Sequence, residues 1–164
     1  MQNAGAHTQR WSGFTLIEVI VTIAIVSILT SVAISGINSG AKTQRELETN
    51  AREFASVVRE AQNYALTGKQ ANVAGTNTCS FLVSQISSTQ YTLSAIACGT
   101  GTAELITTYT LKNGVGLSGT SSITFVLPRG VPSSVGAVIF SKGDNRYYVC
   151  VSADGKIEDK SSCP

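Results

Sequence analysis

"GFTLIEVIVTIAIVSILTSVAIS", residues 13–35, holds one formal charge, Glu18, at the start of an apolar run that lasts to Ile34. Coiled as a helix, the run is ~30 Å long, about the thickness of a bilayer's hydrocarbon core. A secretory signal would have a shorter apolar core and a small-x-small cleavage site beyond it. Neither feature is present, and helical patterning continues past the run. A plain membrane anchor accounts for every residue except Glu18. A carboxylate one turn into an apolar helix costs several kcal/mol in hydrocarbon unless it is paired. The helix dipole offsets less than ~1 kcal/mol of that. A full positive charge nearby would offset more. Cutting between Gly13 and Phe14 would create one, a new α-amino group close to Glu18. A carboxylate of one chain could then pair with that amine in its own chain or in a neighbour.

Gly13-Phe14-Thr15-Leu16-Ile17-Glu18, followed by the apolar run, resembles the processing site of type IV pilins and type II secretion pseudopilins. The resemblance implies that a prepilin peptidase removes residues 1–13 as a leader, that the new terminal Phe14 is methylated, and that Glu18 acts in assembly. It implies a single-pass subunit in the inner (cytoplasmic) membrane, with its head outside the cytoplasm. That subunit meets membrane lipid first, then an inner-membrane assembly platform and other pilin or pseudopilin subunits in an extracellular or periplasmic filament. One departure stands out. Many such proteins carry a proline about twenty residues into the mature helix, whereas this chain has Ser35-Gly36 there and no proline before Pro128. Gly36 and Gly40 each weaken a helix by roughly 1 kcal/mol relative to alanine.

Beyond Gly40 the pattern becomes amphipathic. Leu47, Ala51, Phe54, Val58, Ala61 and Ala65 recur at helical spacing and form one face. Arg45, Glu48, Arg52, Glu53, Arg59 and Glu60 lie mostly elsewhere, and their mixed signs predict a solvated surface. Gly68 terminates the helix. The stretch "LTGKQANVAGTNT" predicts a loop. From Cys79 onward, "CSFLV", "QYTLSAIAC", "AELITTYTL", "SITFVL", "AVIFS" and "RYYVCVSA" are short and rich in β-branched or aromatic residues, with turn signals at Asn113-Gly114, Gly143-Asp144-Asn145 and Asp154-Gly155. The expected fold class is α+β: a long N-terminal helix packed on an antiparallel β-sheet head. The expected organisation is a leader over 1–13, a membrane or filament-core helix over 14–40, an amphipathic helix over 41–68 and a β-rich head over 69–164. "AREFASVVREAQNYALTGKQ", "ITFVLPRGVPSS" and "RYYVCVSADGKIE", in that order, resemble the GspH/FimT group of minor pilins and pseudopilins.

Cys79, Cys98, Cys150 and Cys163 fit no zinc spacing, and an even count on an exported head favours disulfides. Three connectivities are open. Loop-closure entropy favours the sequence-local pairs Cys79–Cys98 and Cys150–Cys163, against a set of reduced, buried thiols. His7 is the only histidine and falls in the leader, which excludes histidine-based catalytic and metal sites from the mature chain. "GVGLSGT" matches neither a phosphate loop nor a nucleophile elbow and reads as a turn between strands. "ADGKIED" reads as a hairpin turn rather than a calcium loop. No enzymatic activity, metal or cofactor is expected. The net charge of +2 is too balanced to announce a nucleic-acid binder. Some FimT-like minor pilins bind DNA through a basic C-terminal stretch, and the equivalents would be Lys142, Arg146, Lys156 and Lys160. Asp144, Asp154, Glu158 and Asp159 dilute them. The expected role is therefore a structural subunit, minor or initiating, of a type IV pilus. A type II secretion pseudopilin, a major pilin and a DNA-binding minor pilin are the alternatives.

Overall fold

The structure is a computed structural model that describes residues 15–71 and 75–163, the side chains of 32–39 excepted. Gly13 and Phe14 lie outside the described residues. The chain divides into two compact units, Met1–Gly40 and Ala41–Pro164. A 51-residue helix, α1 (Leu16–Leu66), contributes to both.

In the second unit, the helical face anticipated from spacing is the core. Leu47, Ala51, Val58, Ala61 and Ala65 are fully enclosed and Phe54 nearly so. Three of these six residues, Ala51, Ala61 and Ala65, are small, which lets the sheets approach the helix closely. Gly68 ends the helix in the left-handed region, with the Lys69 amide donating back to the Tyr64 carbonyl at 3.0 Å.

The strands form two antiparallel sheets, as expected of the β-rich head of an α+β fold. The first joins β1 (Thr78–Ser87), β2 (Gln90–Ala97), β3 (Ala103–Thr110), β5 (Ser122–Val126) and β6 (Val131–Pro132) in the order β3-β2-β1-β5-β6. The second joins β4 (Gly116–Gly119), β7 (Gly136–Lys142), β8 (Asn145–Val151) and β9 (Ile157–Lys160) in the order β4-β7-β8-β9. Phe54 sits where they meet, edge-on to Tyr91 of the first sheet at 4.9 Å and to Phe140 of the second at 5.6 Å. The switch between sheets occurs at Asn113-Gly114. Both residues have positive φ, 60° and 68°, and the turn hands the chain from β3 to β4 rather than closing a hairpin.

"GVGLSGT" corrects the sequence expectation of a turn. Gly116–Gly119 is strand β4, paired with β7 so that Leu117 lies opposite Phe140. Val115 and Leu117 are both buried, a period of two that the surrounding glycines mask. At Gly119 (φ +96°) a Cβ would stand 2.3 Å from the Ala137 carbonyl oxygen, so the strand can approach β7 only without a side chain.

Two disulfides staple the head. Cys79–Cys98 ties the start of β1 to the end of β2, and Cys150–Cys163 ties β8 to the tail beyond β9. Both are the sequence-local pairs.

Candidate functional site

The N-terminal unit presents its apolar residues all round the helix. Leu16, Ile17, Ile23, Val26, Ile28 and Leu29 each expose more than half their surface, and Val19, Ile20, Val21 and Ile25 are comparable. A helix apolar on every side is stable only when something apolar surrounds it. The described hydroxyls from Thr22 to Ser31 are already satisfied from within. Thr22 donates to the Val19 carbonyl at 2.9 Å, Ser27 to Ile23 at 2.8 Å, Thr30 to Val26 at 2.7 Å and Ser31 to Ile28 at 2.8 Å. Bonded to the preceding turn, a hydroxyl no longer carries the full cost of leaving water. Among the described residues no helix is long and apolar enough to cross a membrane; those described with side chains in this run end at Ser31.

Glu18 is the carboxylate of the first turn. Thr15 caps that turn: its carbonyl accepts from the Glu18 amide at 3.1 Å and the Val19 amide at 3.3 Å, and its hydroxyl accepts from the Glu18 amide at 3.4 Å. Thr15-Leu16-Ile17-Glu18 is thus a Ser/Thr-x-x-Glu capping sequence, a signal the hydropathy pattern had hidden. The bonds to Thr15 run through the Glu18 backbone amide.

In the head, the four candidate cations separate. Lys142 turns to the helix and pairs with Glu46. In the register of β7, β8 and β9, Arg146 pairs opposite Ser141 and Lys160 opposite Tyr148, both on the sheet face away from the helix. Lys156, in the turn before β9, and Lys160 both close on Glu158, at 2.5 and 2.6 Å. Hydrogen bonds from Lys156 and then Lys160 hold the Glu158 carboxyl down at about 2, and the same contact raises Lys156. Asp154 is held below the usual carboxylate range by the Ser152 hydroxyl and the Lys156 amide. Three of the four cations are therefore committed to carboxylates, and Arg146 stands apart from them.

The mixed-charge side of α1 is more than a solvated surface. Asp159, on the opposite face of β9 from Glu158, lies 3.5 Å from Arg52 and 3.7 Å from Arg59, and Arg59 also donates to the Ile157 carbonyl at 3.0 Å. These contacts fasten the last strand to the helix. One turn on, the Gln62 amide donates to the Gly155 carbonyl at 2.9 Å and the Gly130 carbonyl at 3.3 Å. Sequence patterning gave no sign of Gln62. Its two partners lie in the "LPRGVP" and "ADGKIE" turns, the stretches that carried the head's GspH/FimT resemblance.

Residues 12–34 match the prokaryotic N-terminal methylation motif. No curated protein sequence matches the chain. The fold is similar to that of the minor pseudopilin EpsH from the type 2 secretion system of Vibrio cholerae, with a TM-score of 0.53 at 13% sequence identity over 71% of this chain and 96% of that one. The chain thus carries the N-terminal methylation motif and shares the fold of that minor pseudopilin.

Proposed function

We propose that this protein is a structural, non-enzymatic subunit of a type IV pilus, minor or initiating, that enters the inner membrane through its N-terminal helix and is drawn from there into a filament. The observation that carries this reading is the all-round exposure of the apolar turns from Leu16 to Leu29, with their hydroxyls bonded internally and Glu18 as their one carboxylate. Lipid covers these turns before assembly, and helices of neighbouring subunits cover them afterwards. A prepilin peptidase cuts between Gly13 and Phe14, Phe14 is methylated, and its amine pairs with Glu18 on an inner-membrane assembly platform. That pair sets register and orientation more than net stability. A second reading, a type II secretion pseudopilin, is favoured by the likeness to EpsH.

Replacement of Glu18 separates charge from capping. Glutamine serves the third position of a capping box as well as glutamate does, so Glu18→Gln keeps the helix start and removes the charge. Membrane insertion should persist while filament entry falls. Normal filament entry of Glu18→Gln would refute the assembly role. Mass spectrometry of the mature chain should find a methylated Phe14 at its N-terminus; an intact Met1 on assembled filaments would refute processing.

A further inference from the structure

We infer that the Ala41 end of the second unit is a docking surface for the headgroups of anionic phospholipid; this rests on the proposed entry into a membrane and names the lipid chemistry the head meets there. Contacts between α1 and the second sheet fix which residues share that end. They run in order along the helix: Lys142 to Glu46, Asp159 to Arg52 and Arg59, Gly155 to Gln62. The β7–β8 turn, Gly143-Asp144, therefore lies at the Ala41 end, and the β8–β9 turn lies at the other.

The two ends differ in how their cations are used. Lys42, Arg45 and Arg146 are exposed, and among the described residues none of them has a carboxylate or ring partner. Lys42 and Arg45 are three positions apart on the helix and so neighbours on its surface. The Lys142–Glu46 pair pins the β7–β8 hairpin beside them, which brings Arg146, opposite Ser141, to the same end. With Glu46 and Asp144 set against these four cations, two positive charges remain. Away from this end every described lysine and arginine but Arg129 is held by a carboxylate or, for Lys69, lies over the Tyr64 ring, 3.4 Å from its centroid.

Position selects the anion. Eight residues of chain separate Ile34, the end of the apolar run, from Lys42, ~12 Å in helical form. The polar layer of a bilayer extends roughly 5–8 Å beyond the hydrocarbon on each side, and long lysine and arginine stems reach back across the remainder. Lipid phosphates are thus the first anions within reach of Lys42 and Arg45. A headgroup with net negative charge attracts such cations, whereas a zwitterionic one does so weakly. Three free cations are few for nucleic acid, whose non-specific hold grows with the number of phosphates neutralised. The contact keeps the β7–β8 turn on the membrane surface while the subunit waits there, and it is given up when the subunit leaves the bilayer.

The test reconstitutes the full-length chain in vesicles of phosphatidylcholine, alone or mixed with phosphatidylglycerol, with a fluorescent amino acid at Asn145 and a quencher on the lipid headgroups. Asn145 should be quenched strongly only with phosphatidylglycerol present, and ~1 M salt, where the Debye length is ~3 Å, should abolish the difference. A fluorophore at the exposed Ala153, in the β8–β9 turn, should not respond. Lys42→Gln with Arg45→Gln keeps two good helix formers and should raise the phosphatidylglycerol content needed for half-quenching at least about fivefold; Asp144→Asn should lower it. Equal quenching in both kinds of vesicle, quenching that survives the salt, an equal response at Ala153 or indifference to the paired glutamines would each overturn the inference. So would capture of a DNA duplex through the same cations without a lipid response. A chain that never inserts into phosphatidylcholine vesicles refutes membrane entry, and this surface with it; one that inserts without a phosphatidylglycerol response refutes the surface alone.

Discussion

Gln62 joins two turns that are far apart in sequence, and its removal has a calculable consequence. Its amide nitrogen donates to the Gly155 carbonyl at 2.9 Å and the Gly130 carbonyl at 3.3 Å. Both turns are set tightly against the helix. A Cβ at Gly130 (φ +60°) would fall 2.5 Å from Leu66 Cγ, and one at Gly155 (φ +80°) would fall 2.7 Å from Gln62 itself. Each hydrogen bond contributes about 0.5–1.5 kcal/mol net, and the 3.3 Å contact belongs at the low end of that range. Gln62→Ala should therefore cost about 1.5–2 kcal/mol with the lost packing of its stem included. For a head of this size that corresponds to a fall in Tm of about 5–8 °C. Gln62→Glu should be worse near neutrality, because it turns an acceptor toward two carbonyls, and should recover in part on acidification. The assay is near-ultraviolet circular dichroism of the processed, full-length chain in detergent with disulfides intact. All five tyrosines lie in the second unit, and the proposed cleavage after Gly13 would remove Trp11, so the tyrosine signal reports that unit. Asn63→Ala, at an exposed helix position, is the control. A Tm for Gln62→Ala within about 1 °C of the parent, or Gln62→Glu no worse than Gln62→Ala, would refute the clamp.

Phe54→Ala removes the ring shared by both sheets and should cost about 3–5 kcal/mol; thermal unfolding measures it, and a loss below about 1 kcal/mol would mean the sheets do not depend on that ring. Removing either disulfide by paired Cys→Ser should cost about 3 kcal/mol, since the loops of 19 and 13 residues are similar in length; a large asymmetry in denaturant midpoints would contradict the loop argument. In acid, Glu158 binds its proton less readily in the folded head than in the unfolded chain, so its contribution is complete above its ordinary value of 4.5 and is lost as pH falls toward about 2. Glu158→Gln should flatten the decline in Tm between neutrality and about pH 3, and the effect should shrink in high salt.

The sequence carried the helix and its core face because both depend on local period. Six apolar residues at helical spacing became six buried residues. The strands were legible for the same reason, as runs rich in β-branched and aromatic residues. Their partition into two sheets was not, because pairing between β1 and β5 or between β4 and β7 is long-range and leaves no local signature. Strand β4 hid behind glycines. The charges that fasten β9, Arg52 and Arg59 on Asp159, read as ordinary surface until the strand was seen beside the helix. At the N-terminus, attention to the cost of a carboxylate in apolar surroundings found Glu18 but passed over the Thr15-x-x-Glu18 cap that shares it.

The head's resemblance to the GspH/FimT group was scattered over short stretches of sequence, and the fold explains why scattered stretches can carry it. "REAQNYAL" contains Gln62 and Leu66; "LPRGVP" contains Gly130; "ADGKIE" contains Gly155 and Ile157. In space they are one junction, where a side chain on Gly130 would strike Leu66, one on Gly155 would strike Gln62, and Arg59 holds the Ile157 carbonyl. The junction demands particular residues because its contacts run through backbone carbonyls and through space that only glycine leaves. Elsewhere the head asks only for apolar side chains of suitable volume beneath two sheets, a demand many sequences meet. This division of constraints separates what the junction demands from what the rest of the head demands. It also locates the tolerance of this head: volume-conserving changes beneath the sheets should be absorbed, while Gly130→Ala, with its positive φ and its collision at Leu66, should not.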